Sequence, residues 1–191
     1  MWVVEIIFIA ASAYISYSPP VKIGYWLGMI VLAYFGVVVL IDLEYRLIMH
    51  PVSIFGAVLG LIVGILRVGW LRAVVGGVVG FGIMWMLYLL GVLIIKIVNR
   101  KRSQAVNDVA LGFGDVNLSG VLGLMLGWPL VFVGLVVAVL LGGFVSMIYI
   151  IIKLITRKYN AFMALPYGPF LVVGAVILIY FPDLVIRLIG E

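Results

Sequence analysis

The 191-residue sequence has no cysteine, only one histidine and few charged residues, which make up 10% of the chain. The lack of cysteine excludes disulfides, cysteine-ligated zinc, iron–sulfur clusters and a cysteine nucleophile from this sequence. A single histidine, His50, argues against a histidine-rich metal site and against a Ser-His-Asp triad. Any chemistry must therefore depend on a small number of polar side chains, and we expect it to need neither a metal ion nor a cofactor.

Hydrophobic residues account for 67% of the sequence, and its mean hydropathy is +1.41. Soluble domains contain only about 45–50% apolar and about 25% charged residues. The composition therefore excludes a water-soluble globule, and it also excludes disorder, which requires low hydrophobicity. The net charge is +5, but the basic residues are scattered between apolar blocks, so we expect no nucleic-acid partner. We predict one polytopic membrane domain over residues 1–191, embedded in a lipid bilayer, and the sequence indicates no oligomeric state.

Seven apolar segments are candidates for membrane helices, since a helix needs about 20 mainly apolar residues to cross the hydrocarbon core. They are separated by breaks such as Ser18-Pro19-Pro20 and Gly127-Trp128-Pro129, where proline interrupts a helix. The fifth segment is short and rich in glycine, a pattern typical of close helix packing in lipid. The predicted fold class is an all-α membrane helix bundle with about six to seven transmembrane helices. The segments span residues 2–17, 22–42, 51–67, 71–97, 114–127, 129–153 and 168–186.

The distribution of lysine and arginine between the loops predicts the orientation, because cytoplasmic loops carry an excess of these residues. If the N-terminus is cytoplasmic, eight basic loop residues lie inside and four lie outside. We therefore expect a cytoplasmic N-terminus and an outer C-terminus. The inner residues are Arg46, Lys96, Arg100, Lys101, Arg102, Lys153, Arg157 and Lys158, and the outer residues are Lys22, Arg67, Arg72 and Arg187.

Two of the four aspartates stand at the ends of apolar segments, where an ionisable side chain needs an explanation. Such a group costs about 2.5–3.5 kcal/mol inside a membrane helix on insertion scales. Asp42 ends the second segment and Asp115 opens the fifth, whereas Asp108 and Asp183 lie where burial is not required. The second segment runs inward and the fifth runs outward, so Asp42 and Asp115 are both expected at the cytoplasmic side, at similar depth.

If the two carboxyl groups meet, they cannot both ionise, and the pair shares one proton. The ionised member can then take a proton from a water molecule that attacks a peptide carbonyl, while the protonated member donates to the carbonyl oxygen. This chemistry is that of an aspartyl hydrolase. A proton-coupled membrane transporter would use intramembrane carboxylates as well, and a purely structural role is a third alternative. Gly112 and Gly114 next to Asp115 would let an extended peptide approach the backbone closely.

Three separated motifs resemble those of one family of membrane proteases. Gly112-Phe113-Gly114-Asp115 resembles the GxGD signature of intramembrane-type aspartyl proteases. Its continuation from Val116 to Trp128 is similar to the type IV prepilin peptidases in particular. The segment from Ile41 to Ile48 resembles their first catalytic-aspartate motif, and that from Ala164 to Phe170 resembles the sequence before their last helix.

The resemblance implies a membrane aspartyl endopeptidase with its active site at the cytoplasmic face. Its substrates would be prepilins, pseudopilins or preflagellins, cut after a glycine between a basic leader and a hydrophobic helix. Asp42 and Asp115 would be the catalytic residues. Because the inner loops are themselves basic, Glu44 or Asp108 would assist in binding the basic leader, and Gly112, Gly114 and Pro166 would help to position the extended substrate.

Two sites in the sequence depart from the pattern of many relatives. Those relatives have Pro-Asp or Pro-Asn where this sequence has Met49-His50, and they have lysine at the position of Asn117. The long bacterial members also carry a cytoplasmic domain with paired cysteines that is linked to N-methylation. Because this sequence has no cysteine, we expect a short, peptidase-only form, similar to preflagellin peptidases, without methyltransferase activity.

Overall fold

The computed structural model describes residues 2–20, 22–45, 48–99, 112–156 and 166–182. All regular structure in these ranges is helical, which confirms the predicted all-α fold class. Each predicted segment corresponds to one helix. The helices are α1 (Trp2–Tyr17), α2 (Gly24–Tyr45), α3 (His50–Val68), α4 (Trp70–Asn99), α5 (Phe113–Leu126), α6 (Leu130–Ile155) and α7 (Gly168–Tyr180).

Among the described residues, four helices are long and apolar enough by themselves to cross a membrane. They are α2, α3, α6 and the stretch Trp70–Ile97 of α4. Large apolar side chains such as Trp26, Ile54 and Leu140 stay exposed on the outside of the bundle. A surface of this kind faces lipid rather than water, so the architecture is that of a multi-pass membrane protein.

Helix α5 is short and lies inside the bundle. Its 14 residues correspond to a length of about 21 Å, whereas the hydrocarbon core is about 30 Å thick. It packs most extensively on α4 and α3, and it also contacts α6 and α7. Val116, Leu118 and Met125 are completely buried, so α5 is enclosed by protein and not by lipid.

Glycine faces allow α3 and α4 to approach the backbone of α5 directly. A Cβ atom on Gly76 would collide with the carbonyl oxygen of Gly123, and one on Gly123 would collide with that of Gly76. On the other side of α5, a Cβ atom on Gly64 would collide with the carbonyl oxygen of Leu124. Ser119 of α5 is fully buried and donates a hydrogen bond of 3.1 Å to the carbonyl of Gly80. Small residues give this kind of close contact between helices in lipid.

Helix α7 ends earlier than its predicted segment of residues 168–186. Phe181 leaves the helical conformation, with φ −126° and ψ 52°, directly before Pro182. A residue before proline is disfavoured in the α region, which accounts for the end of the helix at Tyr180. Residues 183–186 of the predicted segment, and most of the basic loop residues that determine the predicted topology, lie outside the described residues.

The close packing of α4 on α5 predicts the effect of adding a single methyl group. Gly76→Ala is expected to lower the free energy of unfolding by about 1–3 kcal/mol, because an overpacked site forces the backbone to shift. Gly82→Ala is the matched control on the same helix, since its Cβ atom would meet no neighbouring group within 4 Å. Thermal unfolding of both variants in detergent tests this expectation, and equal melting temperatures would contradict it.

Candidate active site

Asp42 lies in the last turn of α2 and is held by the start of α7. Its side chain is only 4% exposed, although the three residues that follow it in α2 are exposed. Asp42 Oδ2 accepts a hydrogen bond of 2.9 Å from the backbone N–H of Gly168. Gly168 is the first residue of α7, where N–H groups have no partner within the helix. The positive end of the helix dipole also favours a carboxylate at this position.

Asp115 lies in the first turn of α5 and is held by the residue that caps the helix. The side chain is 8% exposed. Its Oδ2 atom accepts a hydrogen bond of 3.2 Å from the backbone N–H of Gly112, which has the extended conformation of an N-cap residue. An acidic side chain at the third helical position that bonds back to the N-cap residue is half of a capping box.

The structure brings these two side chains together, and we call Asp42 and Asp115 the aspartate pair. Their carboxyl groups lie close enough to interact electrostatically. Both are buried, and each is oriented by a backbone N–H at the beginning of a short helix. Two buried carboxyl groups within electrostatic range do not ionise equally easily, so one can serve as acid and the other as base in the same reaction.

The two glycines that flank Phe113 differ in their surroundings. A Cβ atom on Gly114 would lie 2.9 Å from the Cβ atom of Ile48, so the chain entering α3 already occupies the space beside it. Gly112 is exposed, and a Cβ atom there would meet only Asp115 Oδ2, at 3.6 Å, and the nitrogen of Gly114, at 3.9 Å. Of the two, Gly112 is the one with open space for a substrate.

Glu44 and Pro166, also candidates from the sequence, lie near the ends of α2 and α7. Glu44 is exposed and follows Asp42 by two residues, and Pro166 is half-buried and precedes Gly168 by two residues. Both are therefore close in sequence to the hydrogen bond between Asp42 and Gly168.

Sequence reasoning did not single out Gly168 or Tyr167 as site residues. A Cβ atom on Gly168 would lie 2.6 Å from Asp42 Oδ2, so the site requires glycine there. The ring of Tyr167 packs edge-on against Phe170 at 6.2 Å between centroids, and its phenol lies within electrostatic range of Asp115. The sequence feature that could have identified Tyr167 and Gly168 is the pair of prolines on either side of them, because it fixes the start of α7.

A groove of about 520 Å³ between α3, α4 and α5 is lined by one residue from each of the two sites at which the sequence departs from many relatives. His50 and Asn117 line it together with Ser53, and most of the remaining lining is apolar. Asn117 follows Asp115 by two residues, which places it on roughly the opposite face of the helix. Asn117 therefore lies behind α5 and away from the aspartate pair.

Comparison with known proteins assigns these features to one family. Residues 26–147, which include the aspartate pair, match the type IV leader peptidase family. The chain is 31% identical over 147 residues to a prepilin leader peptidase/N-methyltransferase of Pseudomonas putida, covering 75% of this chain and 46% of the relative. It is 26% identical over 132 residues to the protein of the same name from Aeromonas hydrophila, covering 69% of this chain and 40% of the relative.

The chain thus spans less than half the length of these relatives. No solved structure gives a significant match. Because the family match extends over well over half of the sequence and includes both buried aspartates, the chain belongs to the type IV leader peptidase family.

Proposed function

We propose that the protein is a membrane aspartyl endopeptidase that removes the leader peptides of prepilin-like or preflagellin-like proteins. Membership of the leader peptidase family indicates a protease. The observation that carries the aspartyl mechanism is the buried aspartate pair, in which each carboxyl group accepts a hydrogen bond from a helix start. Family membership favours hydrolysis over proton-coupled transport, the alternative that intramembrane carboxylates alone leave open.

In the proposed reaction, the ionised member of the pair takes a proton from water as the water oxygen attacks the scissile carbonyl carbon. The protonated member donates its proton to the carbonyl oxygen, which gives a neutral tetrahedral intermediate. In the collapse of this intermediate, the member that is now ionised takes a proton from one hydroxyl group as the C=O bond re-forms. The C–N bond breaks, and the other member donates its proton to the leaving nitrogen. The backbone donors Gly168 and Gly112 keep both carboxyl groups in a fixed orientation throughout, so little reorganisation is needed during the reaction.

The substrate side of the proposal rests on position and charge. Glu44 is exposed beyond Asp42 at the end of α2, where a carboxylate would attract the basic leader of a prepilin, pseudopilin or preflagellin. Gly112 offers open space next to Asp115, and Pro166 lies next to the start of α7. We propose that Gly112 and Pro166 position the extended segment, whereas Gly114 leaves room for Ile48. We also propose that the site opens to the cytoplasm, as the charge distribution of the loops indicates.

Asp42→Asn and Asp115→Asn are each expected to reduce cleavage by about 100- to 10,000-fold or more, because asparagine can neither take nor give the proton. Both changes keep the size of the side chain and one oxygen that accepts the backbone hydrogen bond. The measurement is the size shift of prepilins and preflagellins that are co-expressed with each variant.

Asp183→Asn is the control, because Asp183 is expected near the outer boundary of the last segment. We expect wild-type cleavage for this variant. Cleavage at the wild-type rate by a folded Asp42→Asn or Asp115→Asn variant would refute the aspartyl mechanism. Vesicles that show substrate-dependent proton movement without proteolysis would support transport instead.

Gly168→Ala tests the contact between α7 and Asp42. The added Cβ atom would lie 3.0 Å from Cγ of Asp42 as well as against its Oδ2, so either α7 or the carboxyl group must move. We expect kcat to fall by about 100-fold, the effect of a displacement of about 1 Å at a reacting group. Gly143→Ala, whose Cβ atom would meet nothing within 4 Å, should retain wild-type kcat, and equal rates for the two variants would contradict the proposal.

A further inference from the structure

Arg67 joins the ends of the two short helices that carry the aspartate pair's hydrogen bonds. It is a half-buried residue in the last turn of α3. Its Nη1 atom donates to the carbonyl of Met125 at 3.0 Å, and its Nη2 atom donates to the carbonyl of Leu178 at 3.1 Å. Met125 is in the last turn of α5 and Leu178 is in the last turn of α7. A single guanidinium group therefore links α5 to α7.

These two carbonyls need partners because both helices end early. The last four carbonyls of a helix have no partner within it, and an unsatisfied backbone group is costly where water is absent. The 13 residues of α7 give a length of about 20 Å, so it resembles α5 in falling short of the full membrane thickness. A positive charge at the ends of both helices also complements their dipoles. The rigid, planar fork of arginine suits two acceptors at once.

In both short helices, the residue at the aspartate pair and the residue bound by Arg67 are separated by the same number of positions. Met125 follows Asp115 by ten residues, and Leu178 follows Gly168 by ten residues. Each distance corresponds to about 15 Å along a helix axis. Helices α5 and α7 are in contact and run in the same direction, with the aspartate pair at their starts and Arg67 at their ends. If one helix slid along the other, the two carbonyls could no longer reach the same guanidinium group.

Helix α2 is hydrogen-bonded to α7 near both of its ends. Asp42 accepts the hydrogen bond from Gly168 at the start of α7, and Tyr180 at the end of α7 donates a hydrogen bond of 2.7 Å to the carbonyl of Gly28. The position of α7 along its axis therefore affects Asp42, while the position of α5 determines that of Asp115.

We propose that Arg67 is a positioning residue that sets the register between α5 and α7, and thereby the alignment of Asp42 with Asp115 about 15 Å away. The kinetic part of this inference rests on the proposed peptidase function. The structural part does not, because the hydrogen bond between Gly168 and Asp42 can be observed without any substrate.

The kinetic test compares Arg67→Met, Arg67→Lys and the control Arg72→Met. Arg72 is an exposed arginine near the start of α4, so the control removes the same charge from the same end of the bundle. We expect Arg67→Met to lower kcat by about 100-fold, as a small misplacement of reacting groups does, with KM within twofold of wild type because Arg67 is remote from the cleavage site. Arg67→Lys should have an intermediate kcat, since lysine keeps the charge but not the fork.

The structural test uses the only Tyr-Gly pair in the sequence, Tyr167-Gly168. With ¹³C-carbonyl tyrosine and ¹⁵N glycine, this pair alone gives a carbonyl-coupled amide signal, that of Gly168. Asp42→Asn gives the reference shift for a Gly168 N–H that no longer faces a carboxylate. We expect Arg67→Met to move the Gly168 signal toward this reference and to speed its exchange with solvent, while Arg72→Met leaves it unchanged.

A folded Arg67→Met variant with wild-type kcat and a wild-type Gly168 signal would overturn the inference, and so would a rise in KM alone. If Arg67→Met does not fold, the same two measurements on Arg67→Lys decide the question. If the wild-type protein cleaves no leader peptide but Arg67→Met still shifts the Gly168 signal, the proposed function is refuted and the register role of Arg67 is still supported.

Discussion

A carboxyl group buried in an apolar bundle requires a hydrogen-bond donor, and in the described part of this protein each member of the pair accepts a hydrogen bond from a backbone N–H at the beginning of a helix. Asp42 takes the N–H of Gly168, and Asp115 takes that of Gly112. Helices α5 and α7 must therefore begin at the aspartate pair. Much of the remaining architecture follows from this requirement.

Two helices that begin at the pair and remain short have ends that need protection from lipid. For α5, the glycine faces of α3 and α4 provide it by direct contact with the backbone. For the far ends of α5 and α7, Arg67 provides hydrogen bonds. The long helices thus do more than cross the membrane. By packing and hydrogen bonding, α2, α3, α4 and α6 also form the surroundings in which the short helices are stable.

Hydropathy and helix-breaking residues were sufficient to predict the seven helices, because apolar length decides which segments enter a membrane. Counting passes through the membrane also led to the prediction that Asp42 and Asp115 lie at similar depth. That count contains no information about position around the bundle, so it could not identify Gly168 or the two carbonyls that Arg67 binds. The end of α7 at Tyr180 was missed because the apolar residues after Pro182 continue the hydropathy pattern. For Gly114, the sequence indicated a need for space but not that Ile48 fills it.

The backbone contacts of α5 also determine which parts of the molecule can separate. Helix α5 is interlocked with α3 and α4 through positions where even a methyl group does not fit, so these three helices move as one body. Helix α7 is interlocked in the same way with α6, because a Cβ atom on Gly174 would lie 2.6 Å from the carbonyl oxygen of Gly134, and it also contacts α5 and α2. If these close backbone contacts and the hydrogen bond from Gly168 to Asp42 are kept, the two carboxyl groups can separate only when α6 and α7 move together against α3, α4 and α5.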